Sequence, residues 1–549
     1  MTLARSRFWS PTDVTHESRH MDTLSHILEP GWELAYEVSR GERVIVRCEG
    51  RYEGIESGGG PPGHRLRFCQ EYPAASGGSE PLQVVAVLSC DDAFRPRTYR
   101  LLDTRGRSQE FEFSPRFFKA TLHEGTRIEV PSGAYRFLLS ANMIPQLAIM
   151  LRLWAGCRGR RFLATFFSPE LLQAVPYHWT RHGATVWTSF NETIELDRDG
   201  WIKHMSINYS NNTVNIVPAS VRPGLGSPLR ARDARPRLFR SADNRSEDLE
   251  VASPNGPLGA TFTSPIDGRR TRAFAVFFAG SGSHDRNGLS DDLDLGYHRW
   301  MGCLARCGIA SLRFDKRGTG RTPFGSDVLE PSYDLLLRDS AAARDAVLAH
   351  CTASQPLFFI GHSQGGLVAL ELAARRTDLA GLVLLNTAGR RLDEVIEDQV
   401  RWLERSRDRT PAQIGAEVRT LRRFFRFVRQ SADRADEALP PRYRMSRRLH
   451  RWYREIIDRD PVALIRDVRA PILIIQGTRD TQVSIADARL LEAAALRSGI
   501  PVELSLVDRD HLFHRPGGDA RSAASDSRVV TERICRWVRK LLVSRRDRS

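Results

Sequence analysis

The chain has 549 residues, of which 41% are hydrophobic and 27% charged, a composition typical of globular proteins and not of disordered or membrane-spanning ones. This length exceeds one ordinary core, so we expect two domains. The formal net charge is +15, but all except four of the 81 basic residues are Arg, spread along the chain beside acidic residues. Because no basic stripe or nucleic-acid-binding motif accompanies this charge, we expect no nucleic-acid partner.

The N-terminal part of the chain has a polar start followed by a β-rich pattern. Residues 1–25 form a polar tail without the apolar stretch of a secretory signal, so we expect a cytoplasmic protein. In residues 26–222, short runs alternate apolar and polar side chains, which predicts a mainly antiparallel β domain of unknown role, with one helix near 140–155 covering a face of the sheet. The predicted strands are 32–38, 43–50, 82–90, 97–103, 109–114, 184–190 and 204–210.

The pattern changes in the second half of the chain. Residues 223–248 are rich in Arg, Pro and Gly and lack periodicity, which is typical of a linker. In residues 249–540, nearly continuous apolar runs alternate with helical segments, which predicts a parallel sheet with helices on both faces. Residues 541–549 form a basic tail. The apolar runs are 273–280, 309–315, 357–361, 379–386, 471–477 and 501–507.

The eight cysteines are scattered and form no Cys-x-x-Cys pair, so we do not expect structural zinc. In a long chain of this kind, such cysteines are expected to be reduced and to behave as small buried hydrophobic residues. They are Cys48, Cys69, Cys90, Cys157, Cys303, Cys307, Cys351 and Cys535.

One serine lies in a Gly-x-Ser-x-Gly motif. Ser363 occurs in the segment GHSQGG, between an apolar run that predicts a strand and the segment 367–375, which predicts a helix. A strand–turn–helix context of this kind exposes a serine hydroxyl beside a helix N-terminus, where an oxyanion is stabilised. Such a short motif also occurs by chance as a tight turn, but its context favours Ser363 as a nucleophile.

A serine hydroxyl is a weak nucleophile and needs a base, which in turn needs an acid to orient it. In this context the acid and then the histidine follow the serine along the chain. Asp480 comes just after one predicted strand, and His511 just after the last one. Asp487 and His514 are their rivals. Asp480 could instead cap a helix, and either histidine could lie on the surface.

Two backbone N–H groups are expected to bind the oxyanion that forms when a serine attacks a carbonyl group. One belongs to Gln364, the residue after the nucleophile. The other belongs to Ser281, in the glycine-rich loop 280–288 that follows an early strand of this half. Gly282 would let this loop approach the site closely, although a plain glycine turn is the alternative.

Six short segments occur in an order that is found in a known family. They are GSGSHDRNG (280–288), RFDKRGTGRT (313–322), GHSQGG (361–366), RRLDEVI (390–396), QGTRDTQV (476–483) and DHLF (510–513). Together they resemble the α/β-hydrolase superfamily, and within it a group of bacterial serine carboxylesterases, over residues of about 250–540. The resemblance implies a mostly parallel doubly wound sheet, the catalytic triad Ser363, Asp480 and His511, and no metal or organic cofactor. Ser283, Thr322 and Asp510 differ from the residues usual in that group.

Further residues of the second half have expected roles around this site. Asp315 and Arg317 would brace the loop after one strand, and Asp285 and Arg286 would brace the oxyanion loop. The helical insertion at about 388–468 would cap the site. Its aromatic residues could line an acyl pocket or simply pack the cap on the core, and they are Trp402, Phe424, Phe425, Phe427, Trp452 and Tyr453.

The sequence therefore predicts a serine hydrolase that acts on a small-molecule acyl ester through an acyl-enzyme. Two alternatives remain. The protein could be a thioesterase or acyltransferase of a biosynthetic pathway, or a binding module whose hydrolase half is only a scaffold. Contact of the basic cap with a membrane surface is not expected. The residue pattern does not fix the acyl and alcohol specificity or the oligomeric state.

Overall fold

The computed structural model of the protein describes two units within residues 23–546. The described residues of Met1–Arg235 form the N-terminal unit, and those of Pro236–Leu439 and Arg447–Ser549 form the C-terminal unit. Most of the predicted N-terminal polar tail and most of the predicted linker lie outside the described residues. The segments within 23–546 that are not described are 41–42, 57–62, 73–81, 104–107, 115–116, 122–126, 132–136, 139–143, 155–160, 169–172, 189–191, 210–211, 220–243, 267–270, 283, 290–294, 323–331, 352–354, 406–408, 431–446 and 516–519.

The described residues of the N-terminal unit form a 15-stranded sheet. Its strands are β1 (Glu33–Arg40), β2 (Arg43–Glu56), β3 (Gly63–Tyr72), β4 (Leu82–Cys90), β5 (Pro96–Asp103), β6 (Ser108–Phe113), β7 (Phe117–Thr121), β8 (Arg127–Pro131), β9 (Phe137–Leu138), β10 (Arg161–Ser168), β11 (Gln173–His182), β12 (Val186–Thr188), β13 (Glu192–Leu196), β14 (Ile202–Tyr209) and β15 (Asn212–Pro218). Their order is β8-β7-β6-β5-β4-β3-β2-β1-β15-β14-β13-β12-β11-β10-β9. Neighbouring strands are antiparallel except β9 and β10, which are parallel. The predicted antiparallel character of this half is therefore observed.

Two helices accompany this sheet: α1 (Leu24–Ile27) and α2 (Ile144–Trp154). Helix α2 corresponds to the predicted helix, and all of its residues except Arg152 are buried. Pro145 lies in its first turn, where proline costs no hydrogen bond. A Cβ atom at Gly50 of β2 would lie 2.7 Å from Pro145 Cβ, so α2 packs directly on the sheet at this glycine.

The C-terminal unit contains an eight-stranded mixed sheet in the part that the structure describes. Its strands are β16 (Asn244–Val251), β17 (Leu258–Pro265), β18 (Ala273–Phe278), β19 (Ile309–Phe314), β20 (Leu357–His362), β21 (Gly381–Leu385), β22 (Ile472–Gly477) and β23 (Val502–Val507). Their order is β16-β17-β19-β18-β20-β21-β22-β23. Strands β18 to β23 are parallel and match the six predicted apolar runs, whereas β16 and β17 add an antiparallel edge. The start of β16 lies in the predicted linker. The last five residues of that linker, 244–248, are therefore strand.

Helices cover both faces of this sheet, as predicted for a doubly wound fold. They are α3 (Tyr297–Arg306), α4 (Tyr333–Leu348), α5 (Gln364–Ala373), α6 (Leu392–Arg405), α7 (Pro411–Gln430), α8 (Arg447–Ile456), α9 (Pro461–Ile465), α10 (Ile485–Arg497) and α11 (Ala520–Arg546). One core contains residues of α4, α5 and α10, and the other contains residues of α3 and α11. Helix α11 includes part of the predicted basic tail. No helix among the described residues is long and apolar enough to cross a membrane.

Helices α6 to α9 lie between β21 and β22 in the chain, where the sequence predicts a helical cap. Within them, the ring centroid of Tyr453 lies 5.8 Å from that of Phe424 and 5.9 Å from that of Phe425. The ring of Trp452 packs edge-on against Tyr333 of α4 at 5.7 Å. For these four cap residues, the contacts favour the packing alternative over an acyl pocket.

The prediction that the cysteines are reduced was wrong for one pair. Cys307 and Cys535 form a disulfide with a Cα–Cα distance of 6.0 Å and a sequence separation of 228 residues. Cys307 ends α3 and Cys535 lies in α11, which packs against α3. Because only this packing brings the two residues together, nothing in their spacing indicates the bond. Cys48, Cys69 and Cys90 are buried, as predicted.

Candidate active site

Ser363 occupies the turn between β20 and α5. Its backbone has φ 53° and ψ −120°, a conformation that costs energy for any residue with a side chain. A Cβ atom at Gly361 would lie 2.6 Å from Gly366 Cα, and one at Gly365 would lie 2.7 Å from Ala279 O. The motif therefore requires its two glycines, since backbone segments from three elements meet around the serine.

Three of the predicted side chains form a hydrogen-bonded chain. His511 Nε2 lies 3.1 Å from Ser363 Oγ, and His511 Nδ1 lies 2.7 Å from Asp480 Oδ2. Because a carboxylate can only accept, Nδ1 carries the ring proton and Nε2 is left to accept the serine hydroxyl proton. The side chain of Asp480 is fully buried and that of His511 is 9% exposed, so water screens these contacts weakly.

The rival acid and the rival histidine have other surroundings. Asp487 lies in the first turn of α10, where its carboxylate binds Arg390 at 2.9 and 2.8 Å and closes a capping box with Ser484. Burial acts to raise the pKa of Asp487, and the hydrogen bonds and charge of Arg390 outweigh it, so this pKa is lowered. His511, not His514, is the histidine that the structure places at Ser363.

The acid loop after β22 holds Asp480 by its backbone. Asp480 Oδ1 accepts from the N–H groups of Gln482 at 2.8 Å and Val483 at 2.9 Å, which leaves Oδ2 for the histidine. The side-chain amide Nε2 of Gln476, a fully buried residue of β22, donates to Val483 O at 3.0 Å and to Asp480 Oδ2 at 3.4 Å. These bonds fix the carboxylate before any substrate arrives.

The loop that carries His511 is held by two residues whose roles the sequence analysis missed. The main-chain oxygen of His511 accepts from His362 Nε2 at 2.9 Å and from Asn386 Nδ2 at 2.8 Å. Asn386 Oδ1 accepts from the N–H of Gly477 at 2.7 Å, so this side chain also ties the acid loop to the histidine loop. A polar residue directly after the apolar strand β21 was the available signal for Asn386.

His362, the residue before the serine, is held as a neutral ring. Its Nε2 donates to a carbonyl, so Nδ1 is unprotonated and accepts from the hydroxyl of Tyr297 at 2.9 Å. Burial lowers the pKa of His362 to about 3, with repulsion from His511 as a further cause. The Tyr297 hydroxyl in turn accepts from the N–H of Gly280 at 3.3 Å, which connects the turn of Ser363 to the predicted oxyanion loop.

The two residues with predicted oxyanion-binding amides lie beside the serine. Gln364 is the first residue of α5, so its N–H has no carbonyl partner within the helix. Ser281 follows Gly280, where a Cβ atom would lie 3.0 Å from His362 Nδ1. The loop after β18 therefore passes close against the turn that carries Ser363.

A buried ionic cluster of Asp315 and Arg286 holds this loop, in the bracing role that the sequence analysis expects for these residues. Asp315 Oδ1 accepts from the N–H of Arg286 at 2.6 Å, and its Oδ2 pairs with the Arg286 guanidinium at 3.0 Å. Burial raises the pKa of Asp315 to about 6, although Arg286 opposes the shift. Arg317 pairs with Asp339 at 2.8 Å. Ser283 lies outside the described residues.

A serine in a strained turn between a parallel strand and a helix, with a carboxylate and a histidine from later loops, is the arrangement typical of the α/β-hydrolase fold. Residues 291–516 match the family whose description is "Serine aminopeptidase, S33". This match and the strand order give the C-terminal part of the chain the α/β-hydrolase fold that the resemblance implies.

The match to a curated relative covers a limited part of this chain and of that protein. "Putative carbamate hydrolase RutD" of Variovorax paradoxus (strain S110) is 36% identical over 88 residues, which are 16% of this chain and 30% of that protein. The chain thus spans less than a third of the length of this curated relative.

Solved structures with similarity to the chain include two esterases. A thermostable carboxyl esterase from Bacillus coagulans is 18% identical, with 54% of this chain and 99% of that chain covered and a TM-score of 0.36. Esterase Pf2001 of Pyrococcus furiosus is 14% identical, with 55% and 92% covered and a TM-score of 0.36. At these identities and TM-scores, the likenesses do not indicate a shared activity.

Proposed function

We propose that the protein is a serine hydrolase that cleaves a small-molecule carboxylic ester through an acyl-enzyme. The observation that carries this proposal is the chain of contacts from Ser363 Oγ through His511 to Asp480, at 3.1 and 2.7 Å. These are the distances at which a base can take a serine proton and an acid can orient that base. The strained backbone of Ser363 presents its hydroxyl at the end of a helix.

In the proposed reaction, Ser363 Oγ attacks the carbonyl carbon of the ester while His511 Nε2 accepts its proton. The carbonyl oxygen becomes an oxyanion that accepts hydrogen bonds from the N–H groups of Ser281 and Gln364. His511 then donates the proton to the departing alkoxide, and Asp480 stabilises the imidazolium in between. Water attacks the acyl-enzyme by the same route and releases the acid. This chemistry requires neither a metal nor an organic cofactor.

The surroundings of His511 support its role as the base. Because burial lowers the pKa of His362 to about 3, the ring beside His511 stays neutral at ordinary pH. A charged His362 would repel the imidazolium that forms during the reaction. The hydrogen bond from His362 to the His511 main chain therefore adds rigidity without adding a competing charge.

Cleavage of a carbon–nitrogen bond by the same serine is the second candidate. The matching family is described as a serine aminopeptidase, and the curated relative is named as a carbamate hydrolase. The same groups would also serve a thioester, or acyl transfer if an alcohol or amine replaced water. A panel of ester, thioester, amide and carbamate substrates, with the products identified by mass spectrometry, separates these activities. We expect the ester to be hydrolysed fastest.

Labelling with a fluorophosphonate tests the nucleophile directly. We expect the wild-type protein to form a covalent adduct on the peptide that contains Ser363, and Ser363→Ala to form none and to hydrolyse no ester. Ser498→Ala is a matched control, since Ser498 is exposed at the C-terminal end of α10. An unreactive wild type, or a Ser363→Ala variant that still reacts, would overturn the proposal. So would a control variant that loses the label.

A further inference from the structure

Lys316 is one of only four lysines in the chain, and its ammonium group is held by the main chain of the loop after β18. Lys316 Nζ donates to Gly280 O at 2.8 Å and also donates to Gly282 O. The two acceptors flank Ser281, whose amide is a proposed oxyanion donor. Among the described residues, no carboxylate lies within ion-pairing distance of Nζ, so the main chain is the partner of this charge there.

The peptide geometry of the loop links these contacts to the Ser281 amide. The described peptide bonds are trans, and in a planar trans peptide the C=O of one residue and the N–H of the next point in opposite directions. The bond from Lys316 to Gly280 O therefore also sets the direction of the Ser281 N–H, which points away from Lys316. Gly280 itself lies against His362, the residue before Ser363.

We propose that Lys316 is a positioning residue for the oxyanion hole, which fixes and polarises the peptide group that carries the Ser281 N–H. This inference rests on the proposed function. An ammonium on the carbonyl side makes the N–H of the same peptide a stronger donor, because hydrogen bonds in a chain polarise one another. Lys316 does not touch the substrate in this role, and it acts through the loop.

The neighbours of Lys316 have different tasks. Asp315, just before it, is committed to Arg286 and to the N–H of Arg321 at 2.8 Å. Arg317, just after it, binds Asp339 and donates to Gly256 O at 2.7 Å. Asp315 and Arg317 therefore stabilise neighbouring loops. Of these three residues, only Lys316 contacts the carbonyl groups on either side of Ser281.

His284, a residue of the loop, does not take the place of Lys316. His284 Nε2 lies 3.2 Å from Ser281 O, and its Nδ1 lies 3.3 Å from Asp285 O. Burial lowers the pKa of His284 to about 4, with repulsion from Lys316 as a further cause. The ring is therefore neutral at ordinary pH and donates from one nitrogen only. Of these two residues, Lys316 is the one that donates to the carbonyl groups of both Gly280 and Gly282. Burial lowers the pKa of Lys316 to about 7, so it carries its charge below that pH and acts as a neutral donor above it.

Steady-state kinetics and labelling of Lys316→Met test the inference, because methionine keeps the side-chain length and removes the donors. We expect kcat and the rate of fluorophosphonate labelling to fall together by about 10- to 100-fold, with KM nearly unchanged. The hydrogen bond that is weakened, from the Ser281 N–H to the oxyanion, forms only in the transition state. Lys316→Arg should recover part of the loss. Arg317→Met is the matched control, and it should lower the melting temperature without this selective loss of kcat.

The outcomes separate the inference from the proposed function. A Lys316→Met variant that labels at the wild-type rate, or that raises KM at constant kcat, would overturn the role of Lys316 while Ser363 keeps its own. The same holds if Arg317→Met loses as much kcat as Lys316→Met. Lys316→Gln, which keeps a neutral donor, gives the same comparison if the methionine variant does not fold. An unlabelled wild type would instead overturn the proposed function and, with it, this inference.

Discussion

Each unit of the molecule contains a buried histidine between a carboxylate and a hydroxyl. In the C-terminal unit, His511 lies 2.7 Å from Asp480 and 3.1 Å from the Ser363 hydroxyl. In the N-terminal unit, His64 lies 3.1 Å from Asp92 Oδ1 and 2.9 Å from the Tyr52 hydroxyl. By distance and by the kinds of group involved, the two arrangements look alike.

Their surroundings differ in ways that decide what each can do. Ser363 has a strained backbone at a helix N-terminus, beside N–H groups that can receive an oxyanion. Tyr52 lies inside β2, and its own N–H donates to Trp32 O at 2.9 Å. Burial, with the Cys90 thiol and Asp92 nearby, raises the pKa of Tyr52 and keeps its hydroxyl protonated. A buried histidine between a carboxylate and a hydroxyl therefore indicates an active site only when the backbone around the hydroxyl also offers N–H groups for an oxyanion.

Of the substitutions that test this comparison, Asp480→Asn should have the largest effect on turnover. The amide would favour the tautomer with the proton on Nε2, which cannot accept the serine proton, so we expect kcat to fall by about four orders of magnitude. The size of the side chain is kept, so the melting temperature should change little. Ester turnover at substrate saturation measures the loss. A variant within about tenfold of wild type would show that the Asp480–His511 pair does not support the base.

The candidate site could be predicted because each of its residues has a local signal. Strands β18 to β22 are buried along their whole length, so they appear as nearly continuous apolar runs. Asp480 follows such a run, β22, and His511 follows the partly buried strand β23. The order of acid and histidine along the chain then assigns their roles, without any knowledge of distances.

The parts that were missed depend on partners far away in the sequence. Strand β3 was not predicted, although Arg65 and Arg67 alternate with its buried Leu66 and Phe68. Arg65 pairs across strands with Glu53 at 2.7 Å, a contact that only the register reveals. The position of Asn386 after an apolar strand is a signal, but its partners in the loops of Gly477 and His511 are far away in the sequence.

The disulfide Cys307–Cys535 gives the C-terminal unit a covalent link that should contribute to its stability. Because the bond closes a long loop in the unfolded chain, we expect its loss to lower the free energy of unfolding of this unit by about 2–5 kcal/mol. Calorimetry with and without dithiothreitol measures the effect on the wild type. The double variant Cys307→Ser and Cys535→Ser should melt lower and should not respond to the reductant. Cys351→Ser is the control, and an equal response of the double variant would contradict the prediction.

The smallest effect on turnover is expected for His64→Ala, which tests the comparison from the other side. His64 is 4% exposed, and its removal leaves the Tyr52 hydroxyl without its ring partner, so we expect a stability loss of about 1–3 kcal/mol. Ester turnover and fluorophosphonate labelling of Ser363 should stay at the wild-type level, because the proposed reaction uses none of these groups. Chemical denaturation and kinetics on the same preparation separate the two readouts. A fall in kcat of more than about threefold in the folded variant would mean that the N-terminal arrangement contributes to the reaction, and the contrast between the two histidines would no longer hold.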